Sequence, residues 1–226
     1  LGLLYRDAGY ETAGMQDRLG AFFFLLVFVS LLTMGSVPSW HGSRRVFLHE
    51  RASSVYGTTE YLAAGLLVDI VLLRVLPSWF FVALMYRPMG LSDDPGHLAT
   101  FAAILILANA TASVVCMAVT CAMASARSAN LVMSNVFIVL FMFGGFLLNK
   151  DTLPPLVRWL GHVSFVNYAF ELLAINEFHG TPAMWTFTVP NTTEPGDKPL
   201  PPLTVDGDSV LRQFGMYPQR WTLDFW

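Results

Sequence analysis

The chain has 226 residues, of which 54% are hydrophobic and 13% are charged, and its formal net charge at pH 7 is -3. Charged residues are about a quarter of an ordinary soluble domain, so this composition excludes that class and points to a membrane protein. The small negative charge gives no basis for a nucleic-acid partner, and we expect none.

Four long apolar stretches are the main feature of the sequence, and each is long enough to cross a bilayer. A spanning α-helix needs about 20 mainly apolar residues. The predicted helices cover residues 19–37, 61–86, 98–126 and 129–149. Three of them carry no charged residue, whereas the second contains Asp69 and Arg74. The fold class predicted is an all-α membrane protein, a transmembrane helix bundle.

The arginines predict how the helices are oriented. Arg44, Arg45 and Arg51 follow the first helix, and Arg127 lies in the turn before the fourth. Because Lys and Arg in short loops favour the cytoplasm, we expect both connections there. The triplet at Asn191 is a possible glycosylation acceptor on the opposite side of the membrane.

The chain opens with residues 1–18, which we interpret as the end of a truncated helix and an external stretch within a fragment of a longer polypeptide. The first complete helix is predicted to stop near Pro38, because proline disfavours helix continuation. Residues 47–61 follow with an interfacial or amphipathic pattern that is too polar to cross the membrane.

The remaining elements complete a transmembrane domain over residues 19–176. The third helix has small residues at four-residue spacing, which let helices approach closely in lipid. These are Ala108 and Ala112, and then Ala118, Ala122 and Ala126. Residues 154–176 are helical in period but contain charges, which predicts a re-entrant segment. Residues 177–226 are predicted to be an external loop with little regular structure.

Arg74 lies near the middle of its helix, where a charge must face protein, water or a counter-ion. It could line a translocation route or position neighbouring helices, or it could form a structural pair with Asp69 or with a polar group on another helix. A five-residue spacing places the two about 140° apart around an α-helix. Both interpretations stay open.

Two further patterns each allow two interpretations. Glu50 and Arg51 could dock a soluble partner or form a solvated face on lipid headgroups. The phenylalanines of the fourth helix could line a substrate cavity or simply pack. The five histidines show no metal-ligand spacing, and the chain has no phosphate-binding glycine loop or nucleophile elbow, so we expect no catalysis within it.

Three blocks of sequence, in order, resemble the membrane part of G-subfamily ABC half-transporters of the White and breast-cancer-resistance type. The first is Gln16-Asp17-Arg18-Leu19-Gly20. The second, in residues 47–91, carries Phe47, Glu50, Tyr56, Gly57, Asp69, Arg74, Leu76 and Pro77. The third, in residues 143–180, ends in Asn176, Glu177, Phe178 and Gly180.

The resemblance implies that the four spans are family helices two to five and that a coupling helix, at about residues 44–58, transmits ATPase closure. Its coupling residues are Phe47, Glu50, Arg51, Tyr56 and Gly57. It implies that the substrate cavity contains Phe28, Leu31, Arg74, Ser134, Phe137, Ile138 and Phe141. It implies an apolar plug formed by Phe146 and Leu147. Phe28 and Leu31 replace polar positions of the drug-exporting member, so a lipid, sterol or pigment-like substrate is at least as plausible as a drug.

The function expected from the resemblance is ATP-driven export of hydrophobic or amphipathic molecules across a plasma or organelle membrane. The expected partners are membrane lipid, a nucleotide-binding domain of the same polypeptide, and a second half-transporter in a homo- or heterodimer. ATP and Mg belong to that nucleotide-binding domain, and no cofactor is expected here. The alternative is a non-transporting membrane scaffold or a channel subunit.

Overall fold

The structure is a computed structural model that describes residues 12–54, 56–92, 94–146, 155–180, 185–187 and 203–216. These residues are mostly helical, in agreement with the predicted fold class. Three helices are long and apolar enough to cross a membrane: 14–52, 58–85 and 95–122. The fourth apolar helix, 126–142, is shorter.

The first helix does not end at Pro38 as the sequence suggested. Helix α1 (Thr12–Leu32) passes through a 3-10 turn (Thr33–Ser36) into α2 (Val37–Ala52). Pro38 lies in the first turn of α2, where its missing N–H is not needed for an intrahelical bond. The helix at the predicted coupling segment therefore starts at Val37, before residue 44, and ends at Ala52, before residue 58.

The predicted second span is built from three consecutive segments. Helix α3 (Thr58–Val68) continues into a π-helix (Asp69–Val75) and then into α4 (Leu76–Met85). Pro77 lies in the first turn of α4, directly after the π-helix. Helix α3 has no buried residue, and many apolar side chains of these segments are exposed, as a lipid-facing helix requires.

Helices α5 (Pro95–Ala122) and α6 (Ala126–Met142) follow, each capped at its N-terminus by a side chain. The Asp94 carboxylate accepts from the Gly96 N–H, and the Ser125 hydroxyl accepts from the Ser128 N–H. These bonds satisfy backbone donors that a helix start leaves unpaired.

The last elements are shorter. Helices α7 (Pro155–Val163) and α8 (Phe165–Phe178) occupy the predicted re-entrant region. Strands β1 (Trp185–Phe187) and β2 (Leu203–Val205) then form an antiparallel pair, and α9 (Gly207–Gln213) packs on α8. The region predicted to have little regular structure thus contains a small sheet and a helix.

The main core lies where α1, α4, α5 and α8 meet, and its largest buried side chains include Phe22, Phe101 and Phe170. A second cluster joins α2, α5 and α6 around Ala112, Met133 and Phe137. Small residues on α5 allow this close packing, since Ala108 and Ala112 are buried. The other predicted small-residue row does not pack in this way, because Ala118 and Ala122 are exposed.

Candidate functional site

The two charges of the second span form a buried ion pair. The Arg74 guanidinium donates from Nε to Asp69 Oδ2 at 3.1 Å and from Nη2 to Asp69 Oδ1 at 3.0 Å. Asp69 is 4% exposed and Arg74 is 3% exposed. A bidentate arginine–carboxylate contact of this kind is among the stronger charge-assisted hydrogen bonds.

The π-helix explains why two residues five apart can meet. In an α-helix this spacing separates side chains by about 140°. A π-helix instead closes its turn with i to i+5 hydrogen bonds, so residues five apart lie close to the same side. Asp69 and Arg74 fall within the π-helix, and the local backbone therefore creates the pair.

Polar side chains from two other elements complete the cluster. Ser36, from the 3-10 turn, accepts from Arg74 Nη2 at 2.5 Å and lies 3.4 Å from Asp69 Oδ1. Ser113, on α5, donates to Asp69 Oδ2. The buried pair thus joins α5, the π-helix and the turn between α1 and α2. We call these four residues the charge cluster.

Asn109 extends the polar contacts of α5 toward α4. Its side-chain amide donates to the Ser78 hydroxyl at 3.0 Å and to the backbone carbonyl of Arg74 at 3.4 Å. Asn109 and Ser78 are both buried. Sequence reasoning missed Ser36, Ser113 and Asn109, although the need to neutralise a charge in an apolar helix signalled that such partners must exist.

The predicted coupling residues surround an aromatic contact between α2 and α3. The Phe47 ring stacks on Tyr61 with centroids 4.3 Å apart, and Tyr56 lies 6.1 Å from Phe47. The Tyr56 hydroxyl donates to the Glu50 carboxylate. This hydrogen bond, with a smaller contribution from burial, raises the pKa of Tyr56. Gly57 is the N-cap residue of α3.

Arg44 links this region to the end of α5. Its Nη1 donates to the backbone carbonyl of Met123 at 3.1 Å, so α2 is fastened to the α5–α6 turn. Arg51 is exposed at the end of α2. Phe47, Glu50, Tyr56 and Gly57 are close together.

The predicted cavity residues differ in whether their side chains are exposed or buried. Phe28, Leu31 and Ile138 are exposed on the surface of the chain, and Ser134 is partly exposed. Phe137 is fully buried and stacks on Phe141 with centroids 5.5 Å apart. Phe28 contacts Phe24 and Phe81. Arg74 is held in the charge cluster.

Of the two predicted plug residues, the structure describes one. Phe146 stacks on Phe23 at 5.2 Å and meets Phe170 edge-on at 5.7 Å. It therefore packs between α1 and α8. Leu147 and the glycosylation candidate Asn191 lie outside the described residues.

A second buried ion pair lies away from the charge cluster. Arg18, at the start of α1, donates to the Glu177 carboxylate at the end of α8. Burial raises the pKa of Glu177, although the nearby Arg18 charge opposes this shift. Asn176 and His97 exchange two further hydrogen bonds between α8 and the start of α5. These contacts fasten α8 to the bundle.

The described ranges hold no group of three His, Cys, Asp or Glu side chains that could bind a metal ion. Cys116 is buried and contacts the Thr33 hydroxyl at 3.5 Å, whereas Cys121 is exposed.

Comparison with known proteins connects this geometry to a family. The chain matches the ABC-2 type transporter family over residues 1–178. It is 31% identical over 214 residues to ABC transporter G family member 24 of Dictyostelium discoideum, covering 94% of this chain and 18% of that protein. It is 31% identical over 180 residues to the broad substrate specificity ATP-binding cassette transporter ABCG2 of Mus musculus, covering 80% of this chain and 27% of that protein.

A third relative is Protein white of Ceratitis capitata, which is 28% identical over 197 residues, or 86% of this chain and 29% of that protein. The chain thus spans less than a third of the length of these relatives. The match includes all four apolar helices and both buried ion pairs. The chain is an integral membrane domain that belongs to the ABC-2 type transporter family.

Proposed function

We propose that the chain is the membrane domain of an ATP-driven exporter of hydrophobic or amphipathic molecules. The observation that carries this proposal is the family match over residues 1–178, with relatives described as ATP-binding cassette transporters. In this proposal a nucleotide-binding domain of the same polypeptide holds ATP and Mg. Two half-transporters, identical or related, enclose the substrate between them.

The geometry supports a route by which ATPase closure could reach the bundle. The region around Phe47, Glu50 and Tyr56 contacts the start of α3 through Tyr61. Helix α3 continues directly into the π-helix that holds the charge cluster. A displacement of α2 would therefore act on α3, on the charge cluster and on the end of α5 through Arg44. Such a displacement would shift the population between inward-open and outward-open states.

The exposed residues among the predicted cavity set define the proposed substrate surface. Phe28, Leu31 and Ile138 are apolar and exposed, and Ser134 adds a hydroxyl. This surface favours a lipid, sterol, pigment precursor or apolar xenobiotic over a charged substrate. In this proposal Phe146 and Leu147 close the cavity, and Asn191 carries a glycan on the external side.

Transport by the full-length protein tests the proposal. The protein is reconstituted into liposomes and supplied with ATP or a non-hydrolysable analogue, with a sterol, a phospholipid and a dye as separate substrates. We expect movement of at least one of them that depends on ATP hydrolysis. Equal movement with both nucleotides for every substrate would instead favour the scaffold or channel alternative.

Orientation is a separate prediction. Because Arg44, Arg45 and Arg51 favour the cytoplasm, an epitope tag beside Arg45 should bind antibody only after cells are permeabilised. Antibody binding to intact cells would contradict both the orientation and the coupling route.

A further inference from the structure

A cleft lies between α2 and α3. Its volume is about 700 Å³, within the range of small-molecule sites. One end is lined by Ser36 and Asp69 of the charge cluster, and the other by Ser43, Tyr56 and Tyr61. Ser43 and Tyr61 close that second end, because their hydroxyls are 2.7 Å apart.

The middle of the cleft is apolar. Trp40 of α2 lies directly against Gly65 of α3, where an added Cβ would come within 2.7 Å of the indole ring. The exposed side chains of Val68 and Leu73 continue the lining along α3 and the π-helix. The elongated apolar part of a ligand could lie along these side chains. Its binding would be stabilised because apolar surface of both the ligand and the cleft is removed from water.

The groups of the cleft that could contact the head of a ligand are acidic or aromatic. Glu60 is exposed in the first turn of α3, and its carboxylate accepts from the Thr59 hydroxyl at 3.1 Å and from backbone N–H groups at the start of the helix. No Lys, Arg or His forms a salt bridge with Glu60 in the part of the chain that the structure describes. The other acid in the lining, Asp69, is already neutralised by Arg74. Glu60 is therefore the charge that would select a ligand.

Three aromatic residues share the lining with Glu60: Trp40, Tyr56 and Tyr61. The faces of such rings attract cations, and quaternary ammonium groups are commonly held in this way. A carboxylate beside aromatic rings favours a cation and disfavours a sulfate, phosphate or carboxylate head.

We propose that this cleft binds an amphiphile with an organic ammonium head, which lies against Glu60 and the aromatic rings, and with an apolar body along Val68 and Leu73. The proposal goes beyond transport, because the cleft is formed by one chain and its occupancy requires neither ATP nor a dimer. An occupant would contact both the predicted coupling region and the charge cluster, so it would bias the spacing of α2 and α3.

Photolabelling of the purified full-length protein in a non-ionic detergent tests this proposal without ATP. The probes are a dodecyl trimethylammonium with a diazirine on its chain, and the dodecyl alcohol and dodecyl sulfate with the same diazirine. We expect the ammonium probe to label peptides from α2 and α3 saturably. The alcohol and the sulfate should label them at least about tenfold more weakly, a difference of about 1.4 kcal/mol or more.

Glu60→Gln should lower labelling by the ammonium probe at least about tenfold. Ala64→Phe, which adds a ring to the lining, should block it. Asp17→Asn is the matched control, since Asp17 is also an exposed carboxylate but lies outside the cleft. Equal labelling by the three probes, or unchanged labelling of Glu60→Gln, would overturn the proposal. A failed transport assay would not change this result, so the two proposals fail separately.

Discussion

At the residue scale, the pairing of Asp69 with Arg74 decides whether two charges can remain inside the bundle. Removing both from water costs several kcal/mol per ion, which their attraction offsets only with good geometry and further hydrogen bonds. The bidentate contact supplies the geometry, and Ser36 and Ser113 supply the additional bonds. The pair is thus tolerated as a unit, and each charge depends on the other.

A double-mutant cycle tests this dependence. Arg74→Leu or Asp69→Asn alone leaves the other group without its partner, and we expect each to cost about 3 to 5 kcal/mol. The double variant should cost clearly less than the sum of the two. Thermal unfolding of the full-length protein in detergent measures the change. Leu72→Ala, at an exposed position of the same π-helix, serves as the control.

Additive effects of Asp69→Asn and Arg74→Leu would show that the two side chains act independently. If the protein with Arg74→Leu also kept wild-type transport and dimer yield, Arg74 would have no role in the translocation route or in assembly.

Glu50 supports a prediction about coupling. Its carboxylate accepts from Tyr56, close to Phe47, and so holds the end of α2 against the start of α3. We expect Glu50→Gln to lower substrate-stimulated ATP hydrolysis of the full-length protein several-fold, because a neutral acceptor weakens a charge-assisted bond. Membrane insertion should be unchanged. Arg45→Gln, an exposed change on the same helix, should leave hydrolysis at its normal rate.

At the element scale, the contact between α2 and α3 depends on a residue without a side chain. Gly65 allows the Trp40 indole to lie on the α3 backbone. This contact fixes the separation of the two helices along the cleft.

Gly65→Leu should therefore push α2 from α3 or displace the indole, and lower the thermal midpoint of the full-length protein. Overpacking of this kind typically costs about 1 to 3 kcal/mol. Trp40→Ala in the same chain should restore part of the loss by making room. Gly42→Ala is the matched control, since nothing lies within 4 Å of its added Cβ. A wild-type midpoint for Gly65→Leu would show that the contact is not restrictive.

The sequence predicted the membrane class and the helical fold because long apolar stretches strongly favour membrane-spanning helices. The positions of the helices' irregular segments were harder to predict. Pro38 can end a helix or begin one, and only the 3-10 turn before it settles which. The 140° separation of Asp69 and Arg74 assumed an α-helix, and nothing in the residues from 69 to 75 signals a π-helix. Strands of three residues carry too short an alternation to detect.

The candidate site was predictable only in part for a related reason. The sequence singled out Arg74, Asp69 and Glu50 because charges beside or within apolar runs are conspicuous. Ser36 and Ser113 are ordinary residues in apolar helices, and their contact with Asp69 arises from tertiary packing. The burial of Phe137 likewise depends on its neighbours on α2 and α5.

At the scale of the whole molecule, buried polar contacts fasten α8 to the rest of the bundle. Arg18 and Glu177 join α8 to α1, and Asn176 and His97 join it to α5. Helix α8 therefore moves with the bundle in any change of state that leaves these bonds intact.

Glu177 also gives stability a pH dependence. Burial raises its pKa above the usual 4.5, so the folded state holds this proton to a higher pH than the unfolded chain does. This contribution to the free energy of unfolding is complete below pH 4.5 and is lost as pH rises through the raised pKa.

Thermal midpoints of the full-length protein measured from pH 4 upward should therefore contain a falling component that Glu177→Gln removes. Asp17→Asn, an exposed acid on α1, should keep that component. A pH profile unchanged by Glu177→Gln would contradict the assignment to this carboxyl.

The continuous helix from Gly14 to Ala52 has a mechanical consequence. Its 39 residues make a rod roughly 60 Å long, about twice the thickness of the hydrocarbon layer. Where such a rod lies along the membrane normal, about half of it projects past the lipid tails, and a tilt of about 5° within the bilayer then moves the far end by about 2 to 3 Å. Conversely, a small displacement of the Ala52 end changes the tilt of the first span.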